Sequence, residues 1–317
     1  MIENSSFLLY NYIRVVGEDM VNYIKNKKLR RLLKRMFIAG IVILVLIVIL
    51  IIIASLLKTS YRKLYKLSDE VVLEQSYNTI FNEISINTKM TDIDIKPSID
   101  NAIKVITYGE KDYIKLNEKN NKLFIDIKNK NLILFKFYSY ISKIELYIPS
   151  NYDKVIRINN EFGNINIGEF NNLTLDIKQK IGNLSIDSLD FVKVENKNSN
   201  IKIDKVVKAR LSNKNGKITV KEVDDLVVDN ENGNVIIENL NEYLKLNLDL
   251  GNIKIDSINL TKDSNINLRY GNVIINKIED IKVDAKTDRG KKEVKNNNKK
   301  SDIKLEIYNK SGDIKVN

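Results

Sequence analysis

A five-residue motif, Gly-Asn-φ-x-φ with φ an apolar residue, recurs through the second half of the chain and constrains its fold more than any other feature. Successive copies start 17 to 22 residues apart. A period near this length is typical of a solenoid, in which each repeat forms one coil that buries its apolar face against its neighbours. The copies start at Gly163, Gly182, Ser199, Gly216, Gly233, Gly251 and Gly271, with degenerate copies at Gly290 and Gly312. We therefore predict an all-β fold, a β-solenoid or β-helix with coils of roughly 17–20 residues.

Apolar residues stand two, four and seven places after the first residue of each clear copy. Because the residue between the first two is polar or variable, this part of the copy alternates with period two and predicts a short strand with one inward face. The third apolar residue fits an inward corner. Further apolar stretches, such as residues 173–177 and 244–246, predict a second strand that completes each coil.

Glycine at the start of the motif supplies a positive φ or a close backbone approach without steric cost. The asparagine that follows has two interpretations: an amide ladder in which each side chain bonds to the next coil, or a ligand-binding stripe. The ladder is favoured because turns use asparagine for local reasons. The residues assigned to this structural repeat are Gly163, Asn164, Gly182, Asn183, Asn200, Gly216, Gly233, Asn234, Gly251, Asn252, Gly271 and Asn272.

An uncharged, mostly aliphatic run of 22 residues, 36–57, is long enough to cross a bilayer as a helix. Seven Lys/Arg residues precede it within 25–35 and four follow it within 58–66. The positive-inside rule therefore predicts a cytoplasmic N-terminus and an extracellular C-terminal domain. Either Met1 or Met20 is expected to be the true start, since Met20 stands just before the basic cluster.

The sequence thus predicts a cytoplasmic basic segment over 1–35, a single transmembrane helix over 36–57, a juxtamembrane stalk over 58–76 and a solenoid domain over 77–317. Helix is expected within the stalk across 64–73. Within the solenoid, 77–150 are expected to form irregular cap coils and 151–317 the regular repeats. The aromatic cluster at 132–140 is expected in the core of the cap, because aromatic side chains dominate burial. The chain ends inside a strand, Gly312 to Val316, which predicts an uncovered edge for pairing with another chain.

Composition excludes several classes of function. The net charge of +11 lies mainly in residues 1–66, which carry 12 Lys/Arg and 3 Asp/Glu, so the large domain is nearly neutral and nucleic-acid binding is not expected. The chain has no Cys and no His. It therefore lacks thiolate metal sites, disulfides and the usual general base. We expect no cofactor and no metal.

Carboxylates recur five places after the corner glycine at Asp187, Asp204 and Asp256. Such a column suits calcium binding or glycoside hydrolysis. The other copies place Gly168, Lys221, Glu238 and Asn276 there, so a solvated corner is the favoured interpretation. No residue is predicted to be catalytic.

With the anchor, the Leu146-Tyr147-Ile148-Pro149 junction and the repeated motif, the chain resembles the bacterial putative-adhesin family of β-strand-repeat proteins. This domain of unknown function occurs in the membrane-anchored Lia-operon protein of cell-envelope stress systems. The resemblance covers about residues 77–317 and implies a β-solenoid with an adhesin or envelope role. It supplies no catalytic positions.

The sequence therefore predicts a membrane-anchored, extracellular-facing β-solenoid that acts in adhesion or envelope interaction and is not an enzyme. Its expected partners are the lipid bilayer, a cell-envelope polymer or envelope protein, and a second copy through the C-terminal edge strand. Two alternatives stay open. One is a membrane-tethered cytoplasmic scaffold that polymerises like a bactofilin, and the other is a polysaccharide-active β-helix enzyme.

Overall fold

The computed structural model describes residues 31–45, 47–48, 71–108, 114–127 and 142–317. The chain divides into two compact units, Met1–Leu64 and Tyr65–Asn317. In the first unit, residues 31–45 and 47–48 are helical. Among the described residues, no helix has both the length and the apolar character needed to span a bilayer. Residues 1–30 of the predicted basic segment, 46 and 49–57 of the predicted transmembrane helix, 58–70 of the predicted stalk and the aromatic cluster at 132–140 lie outside the described residues, so the transmembrane helix stays a prediction.

The second unit is built from β-strands. Their bounds are β1 Val71–Tyr77, β2 Glu83–Ser98, β3 Ile103–Tyr108, β4 Ile114–Lys119, β5 Lys122–Ile127, β6 Ser142–Pro149, β7 Val155–Phe162, β8 Ile165–Glu169, β9 Thr174–Ile181, β10 Leu184–Asn198, β11 Ile201–Asn215, β12 Ile218–Asn232, β13 Val235–Leu250, β14 Ile253–Ile258, β15 Ser264–Tyr270, β16 Val273–Ile278, β17 Lys282–Thr287, β18 Lys292–Val294, β19 Lys304–Ser311 and β20 Ile314–Val316. Pro149 is the last residue of β6, as expected for a residue that lacks a backbone donor.

Each coil contributes to two parallel ladders. We call the first residue of each motif copy, usually glycine, the corner residue. The A ladder contains the strand segments that follow the corner residue, and the B ladder contains those that precede it. Equivalent residues stack in register: Leu184 pairs with Ile201, which pairs with Ile218, which pairs with Val235. The domain is therefore the predicted all-β solenoid, with about nine turns. Strands β10 to β13 run through the inward corner without a break, so each serves first the A ladder and then the B ladder.

The core lies between the two ladders. The predicted inward columns are buried throughout: two places after the corner residue (Ile165, Leu184, Ile201, Ile218, Val235, Ile253, Val273), four places after it (Ile167, Ile186, Ile203, Val220, Ile237, Ile255, Ile275) and seven places after it (Phe170, Leu189, Val206, Val223, Leu240, Ile258, Ile278). Burial of these aliphatic side chains, at about 25 cal/mol per Å² of apolar surface, is the main force that stacks the coils.

At the N-terminal end, the order of strands in space differs from their order in the chain. Strand β2 lies between the later pair β5 and β6 on one side and β7 and β8 on the other. Three antiparallel strands cover the outside: β3 on β6, β1 on β3 and β4 on β5. Because β1 begins at Val71, the sheet starts before the predicted boundary at 77. The predicted helix is wrong over residues 71–73, where pairing with β3 overrides local preference.

The C-terminal end shows the same inversion. Strand β19 lies between β15 and β17, and β20 lies between β16 and β18. The prediction that the chain-terminal strand is an uncovered edge is therefore wrong, because Ile314 and Val316 have paired strands on both sides. The strands at this end of the ladders are β17 and β18, which belong to the preceding coil. Pairing with a second copy stays an untested prediction.

Candidate functional site

The Gly-Asn corners use their backbone and side-chain groups for contacts between coils of the solenoid. At Gly216 φ is +136°, and a Cβ there would lie 2.0 Å from the carbonyl oxygen of Ser199. The residue that follows the corner forms a hydrogen-bonded ladder in the regular coils, interrupted at Lys217, whose side chain has no acceptor. The asparagine Oδ1 accepts a hydrogen bond from the equivalent backbone N–H of the following coil, as in Asn183 N to Asn164 (3.0 Å), Lys217 N to Asn200 (3.0 Å), Asn252 N to Asn234 (2.9 Å) and Asn272 N to Asn252 (2.9 Å). The predicted amide ladder is present, and its carbonyl oxygens are used between coils.

A second amide column, which the sequence analysis missed, lies inside the solenoid three places before the corner residue. Its members are Asn160, Gln179, Asn196, Asn213, Asn230 and Asn309, all buried. The amide of Asn213 donates to the Ser199 carbonyl at 3.1 Å, and that of Asn309 donates to the Gly271 carbonyl at 2.9 Å. These bonds tie the B ladder to the corner carbonyls of a neighbouring coil. The signal was available, because amides recur where the strand alternation calls for an apolar residue.

The carboxylate column is spread along the A ladder and neutralised by lysine. Asp204 lies 3.0 Å from Lys221 Nζ and 3.4 Å from Lys202 Nζ. Asp256 lies 2.8 Å from Lys254 Nζ. For Asp204 burial opposes ionisation, but these lysines outweigh it and lower the pKa; for Asp256 the hydrogen bond from Lys254 lowers the pKa. A lowered pKa keeps both groups ionised near neutral pH, which does not suit a general acid.

No group of three or more His, Cys, Asp or Glu side chains is placed to hold a metal ion within the described ranges. Asp187 belongs to the same column and pairs with no cation among those ranges. The structure therefore brings the three sequence-predicted aspartates into one row without joining them into a centre.

A bonded cluster surrounds Glu145 on the outer side of the A ladder. Its carboxylate accepts hydrogen bonds from Lys143 at 2.7 Å, Lys96 at 3.0 Å, and the Tyr108 and Tyr147 hydroxyls at 3.2 Å each. Burial opposes ionisation of this carboxyl, but the hydrogen bonds from Lys143 and Lys96 outweigh burial and lower its pKa to about 2. Perturbed pKa values often mark functional sites. Here both carboxylate oxygens are saturated by β2, β3 and β6, so we assign the cluster to holding the N-terminal cap.

The outer side of the B ladder carries a groove of about 400 Å³ that crosses five neighbouring coils. It is lined by Asn159, Asn160, Lys178, Gln179, Lys180, Glu195, Asn196, Lys197, Ser212, Asn213, Lys214, Asp229 and Glu231. Five strands at a spacing of about 4.8 Å give a trough about 19 Å long. Because Asn160, Gln179, Asn196 and Asn213 are buried, the groove offers one exposed amide, Asn159, one hydroxyl, Ser212, and charges of both signs along the solenoid axis.

Many of the charges at the groove are paired between coils. Lys180 lies 3.0 Å from Glu161, Lys214 lies 3.1 Å from Glu231 and Lys178 lies 3.5 Å from Glu195. Lys197, between them, forms no ion pair within the described part of the chain and is exposed. Exposed pairs of this kind contribute little to stability, so their side chains are free to exchange partners with a ligand.

The corner beside the groove carries exposed apolar and amide side chains. Phe162 and Ile181 stand towards one end, exposed by 40% and 44%, and Leu250 and Tyr270 towards the other, exposed by 54% and 46%. Between them Asn215 donates to Asn198 at 2.8 Å and Asn232 donates to Asn215 at 3.0 Å. The rim of the groove is therefore a polar amide row flanked by apolar contacts.

The sequence profile of the Toastrack DUF4097 family matches residues 81–317, about three quarters of the chain. The chain belongs to this family. The matched range starts just before β2 and includes every regular coil of the Toastrack domain. It confirms the resemblance to the bacterial putative-adhesin family, whose function is unknown.

Crystal structures with similarity to the Toastrack domain share little sequence with it. A putative adhesin from Bacteroides fragilis is 19% identical with a TM-score of 0.43, and the match covers 79% of this chain and 98% of that one. A putative adhesin from Parabacteroides distasonis is 12% identical with a TM-score of 0.44, covering 78% and 98%. A putative cell adhesion protein from Clostridium sporogenes is 13% identical with a TM-score of 0.22, covering 78% and 99%. No curated protein matches the chain, so the Toastrack assignment rests on the profile.

Proposed function

We propose that this Toastrack protein is a non-catalytic binding module that is anchored in the cell membrane and holds an extended, hydroxyl-rich polymer of the cell envelope in the B-ladder groove. The observation that carries the proposal is the groove itself, which follows the solenoid axis across five coils. A trough of this length suits a linear chain better than a compact small molecule. The exposed Asn159 amide, the Ser212 hydroxyl and the charged side chains of the groove offer both donors and acceptors, which match the hydroxyl groups of a glycan strand.

Anchoring and orientation are supported by the N-terminal segment. The charge-free run at 36–57 follows seven cations, and this asymmetry favours a cytoplasmic N-terminus with the solenoid outside. In its described part, Met36, Ile43 and Leu44 are more than half exposed. Apolar side chains left uncovered by protein are suited to contact with lipid.

The absence of catalysis is supported by the lysine pairing of Asp204 and Asp256 and by the lack of histidine in the chain. The test is direct. Purified full-length protein incubated with envelope glycans is expected to release no new reducing ends. Release that disappears when Asp187, Asp204 and Asp256 are all changed to Asn would overturn this part of the proposal.

The groove is tested by blocking it. Ser212 is exposed and lines the groove on β11, the fourth of its five strands, so Ser212→Trp would place an indole ring in the trough. We expect binding of the full-length protein to isolated envelope polymer, measured by co-sedimentation, to fall at least about fivefold, a loss of about 1 kcal/mol. The matched control is Asn267→Trp, an exposed position in the same column of the B ladder but outside the groove. Equal binding by both variants would rule out the groove, and capture of an envelope protein instead of glycan would replace the ligand class.

Topology is tested separately on intact cells. Protease added outside is expected to digest the Toastrack domain while a cytoplasmic marker survives. Protection that is lost only on lysis would place the domain inside the cell and favour the scaffold alternative.

A further inference from the structure

The charge of the solenoid domain is concentrated at one end. The C-terminal tip, defined as residues 282–300, comprises β17, β18 and the loop that follows them. It carries eight Lys/Arg and three Asp/Glu, a net charge of +5. It lies at the opposite end of the ladders from β1 and β4, so it is remote from the point where the chain enters the domain.

The cations of the tip are almost all unpaired. Lys295 lies 3.2 Å from Glu293, whereas Lys282, Lys286, Arg289, Lys291, Lys292, Lys299 and Lys300 form no ion pair within the described ranges. Along the sides of the solenoid, the pairing of the cations is different. There most cations are paired, as Lys205 is with Glu222 at 3.0 Å and Arg210 is with Asp225 at 2.7 Å. Lys286 Nζ lies 5.9 Å from the centre of the Tyr308 ring, and the exposed cations of the tip together keep its net positive charge of +5 open to solvent.

The carboxylates near the tip are already engaged. Asp288 accepts a hydrogen bond from the Tyr308 hydroxyl at 2.6 Å, and Asp284 lies 3.5 Å from Lys304 Nζ. Next to the tip, Glu279 pairs with Lys277, and Asp280 accepts from the Asn298 amide at 3.1 Å. None of these carboxylates forms an ion pair with the seven unpaired cations of the tip, and like charges this close reinforce one another within a Debye length of about 10 Å.

The strand edge at the tip is partly closed. The Asn297 side chain accepts from the Val283 N–H at 3.0 Å and donates to the Val283 carbonyl at 2.9 Å, as a neighbouring strand would. Lysines flank the remaining edge of β18, and lysine at an edge strand discourages pairing with another chain. Two tips of the same charge also repel. A second copy is therefore a poor occupant of this end.

We propose that the C-terminal tip is a binding site for a linear polyanion, a polymer with repeating phosphate or carboxylate groups. Within 282–317, Tyr308 is the exposed large apolar residue, which leaves no apolar wedge to insert into a bilayer. The tip offers no row of aromatic rings for stacking bases either. This site is separate from the B-ladder groove and does not depend on what the groove binds.

The test measures binding of fluorescein-labelled polyphosphate and polyglutamate to the full-length chain in detergent, by anisotropy. Changing Arg289, Lys291 and Lys292 together to Gln is expected to weaken binding at least about tenfold, because it removes three of the five net positive charges of the tip. The two polymers distinguish phosphate from carboxylate. Binding releases the counterions that are condensed on the polyanion, and added salt opposes this release. Affinity is therefore expected to fall steeply as salt rises from about 50 to 200 mM.

The matched control changes Lys208, Lys217 and Lys245 to Gln. These three lysines lie on the sides of the rod, are exposed and form no ion pair within the described ranges, so the same net charge is removed elsewhere. The control is expected to bind like the parent. Equal loss in both variants would show a general charge effect and overturn the tip site. Binding to anionic vesicles but to neither polymer would overturn it in favour of a lipid surface. The Ser212→Trp variant separates the two sites, because it should lose groove binding and keep polyanion binding.

Discussion

Single residues at the corners set how closely the coils approach. Gly216 combines a positive φ with a position where a Cβ would overlap the Ser199 carbonyl. Ser199 occupies the same column with a side chain and is not among the described non-glycine residues with positive φ, which are Asn120, Asn121 and Asp280. The column therefore tolerates a side chain only where the backbone relaxes.

Replacing this glycine is expected to be costly. Gly216→Ala should lower the free energy of unfolding by about 2 to 4 kcal/mol, because the left-handed backbone and the close carbonyl both resist a Cβ. Urea denaturation of the full-length protein measures it. Ser199→Ala, in the same column, adds no Cβ and removes only the long hydrogen bond from Ser199 Oγ to Gln179 Oε1 (3.4 Å), so it should cost about 1 kcal/mol. Similar losses for the two variants would contradict this account of the corner.

Glu145 makes the stability of the N-terminal cap depend on pH. Its pKa in the folded protein, about 2, lies below its ordinary value of 4.5. The stabilisation is therefore complete above about pH 5 and is lost as the pH falls from 4.5 towards 2, by at most about 3 kcal/mol. Thermal melts across this range check it. Glu145→Gln should be less stable than the parent at pH 7, and its melting temperature should fall less than that of the parent as the pH drops below 5. An unchanged profile would mean that other carboxylates, such as Glu83, carry the acid sensitivity.

Among the elements, β17 depends on a side chain to complete its hydrogen bonding. Asn297→Ala would leave the Val283 N–H and carbonyl without their partners and should cost about 1 to 2 kcal/mol. Hydrogen exchange at Val283 is expected to quicken. Asn296→Ala is the control, because the adjacent Asn296 makes no hydrogen bond within the described part of the chain. Equal exchange in the two variants would show that Asn297 does not cap the strand.

The strands and corners of the regular coils could be predicted because their signals are local. The inward residues of each copy can be identified from that copy alone, for example Ile218 and Val220 after Gly216. The stacking register follows from the period of the repeat. The inward amides at Asn196 and Asn213 were not predicted, because an asparagine near a turn is already explained by a bond to its own backbone. The groove arises from five coils together, so no single stretch of sequence reveals it.

At the scale of the whole molecule, the order of coils at each end could not be read from the sequence. The coils around Gly290 and Gly312 are both degenerate copies, and either could stack on β15 and β16. Burial of the same inward columns is satisfied in both arrangements. The structure places the later coil inside and the earlier one outside.

Two deletions of similar size distinguish these arrangements. Removing 302–317 takes away β19 and β20, which are the partners of β17 and β18, so residues 282–294 should become sensitive to protease. Removing 282–300 takes away the outer coil and should leave β19 and β20 docked on β15 and β16. Limited proteolysis with mass spectrometry reads both. Protection of 282–294 in the first deletion would refute the inverted order.

The inverted order also determines how the domain responds to tension. If the final coil stood at the tip, a pull on the C-terminus would peel coils away one at a time, each peeling step breaking one row of bonds. Here β20 is held between β16 and β18, so the same pull must slide it out from between two strands and break both rows together. At the N-terminal end a pull would first remove β1. It would then have to slide β2 out from between β6 and β8. A rod built this way bears load in shear at both ends and resists being unravelled from either.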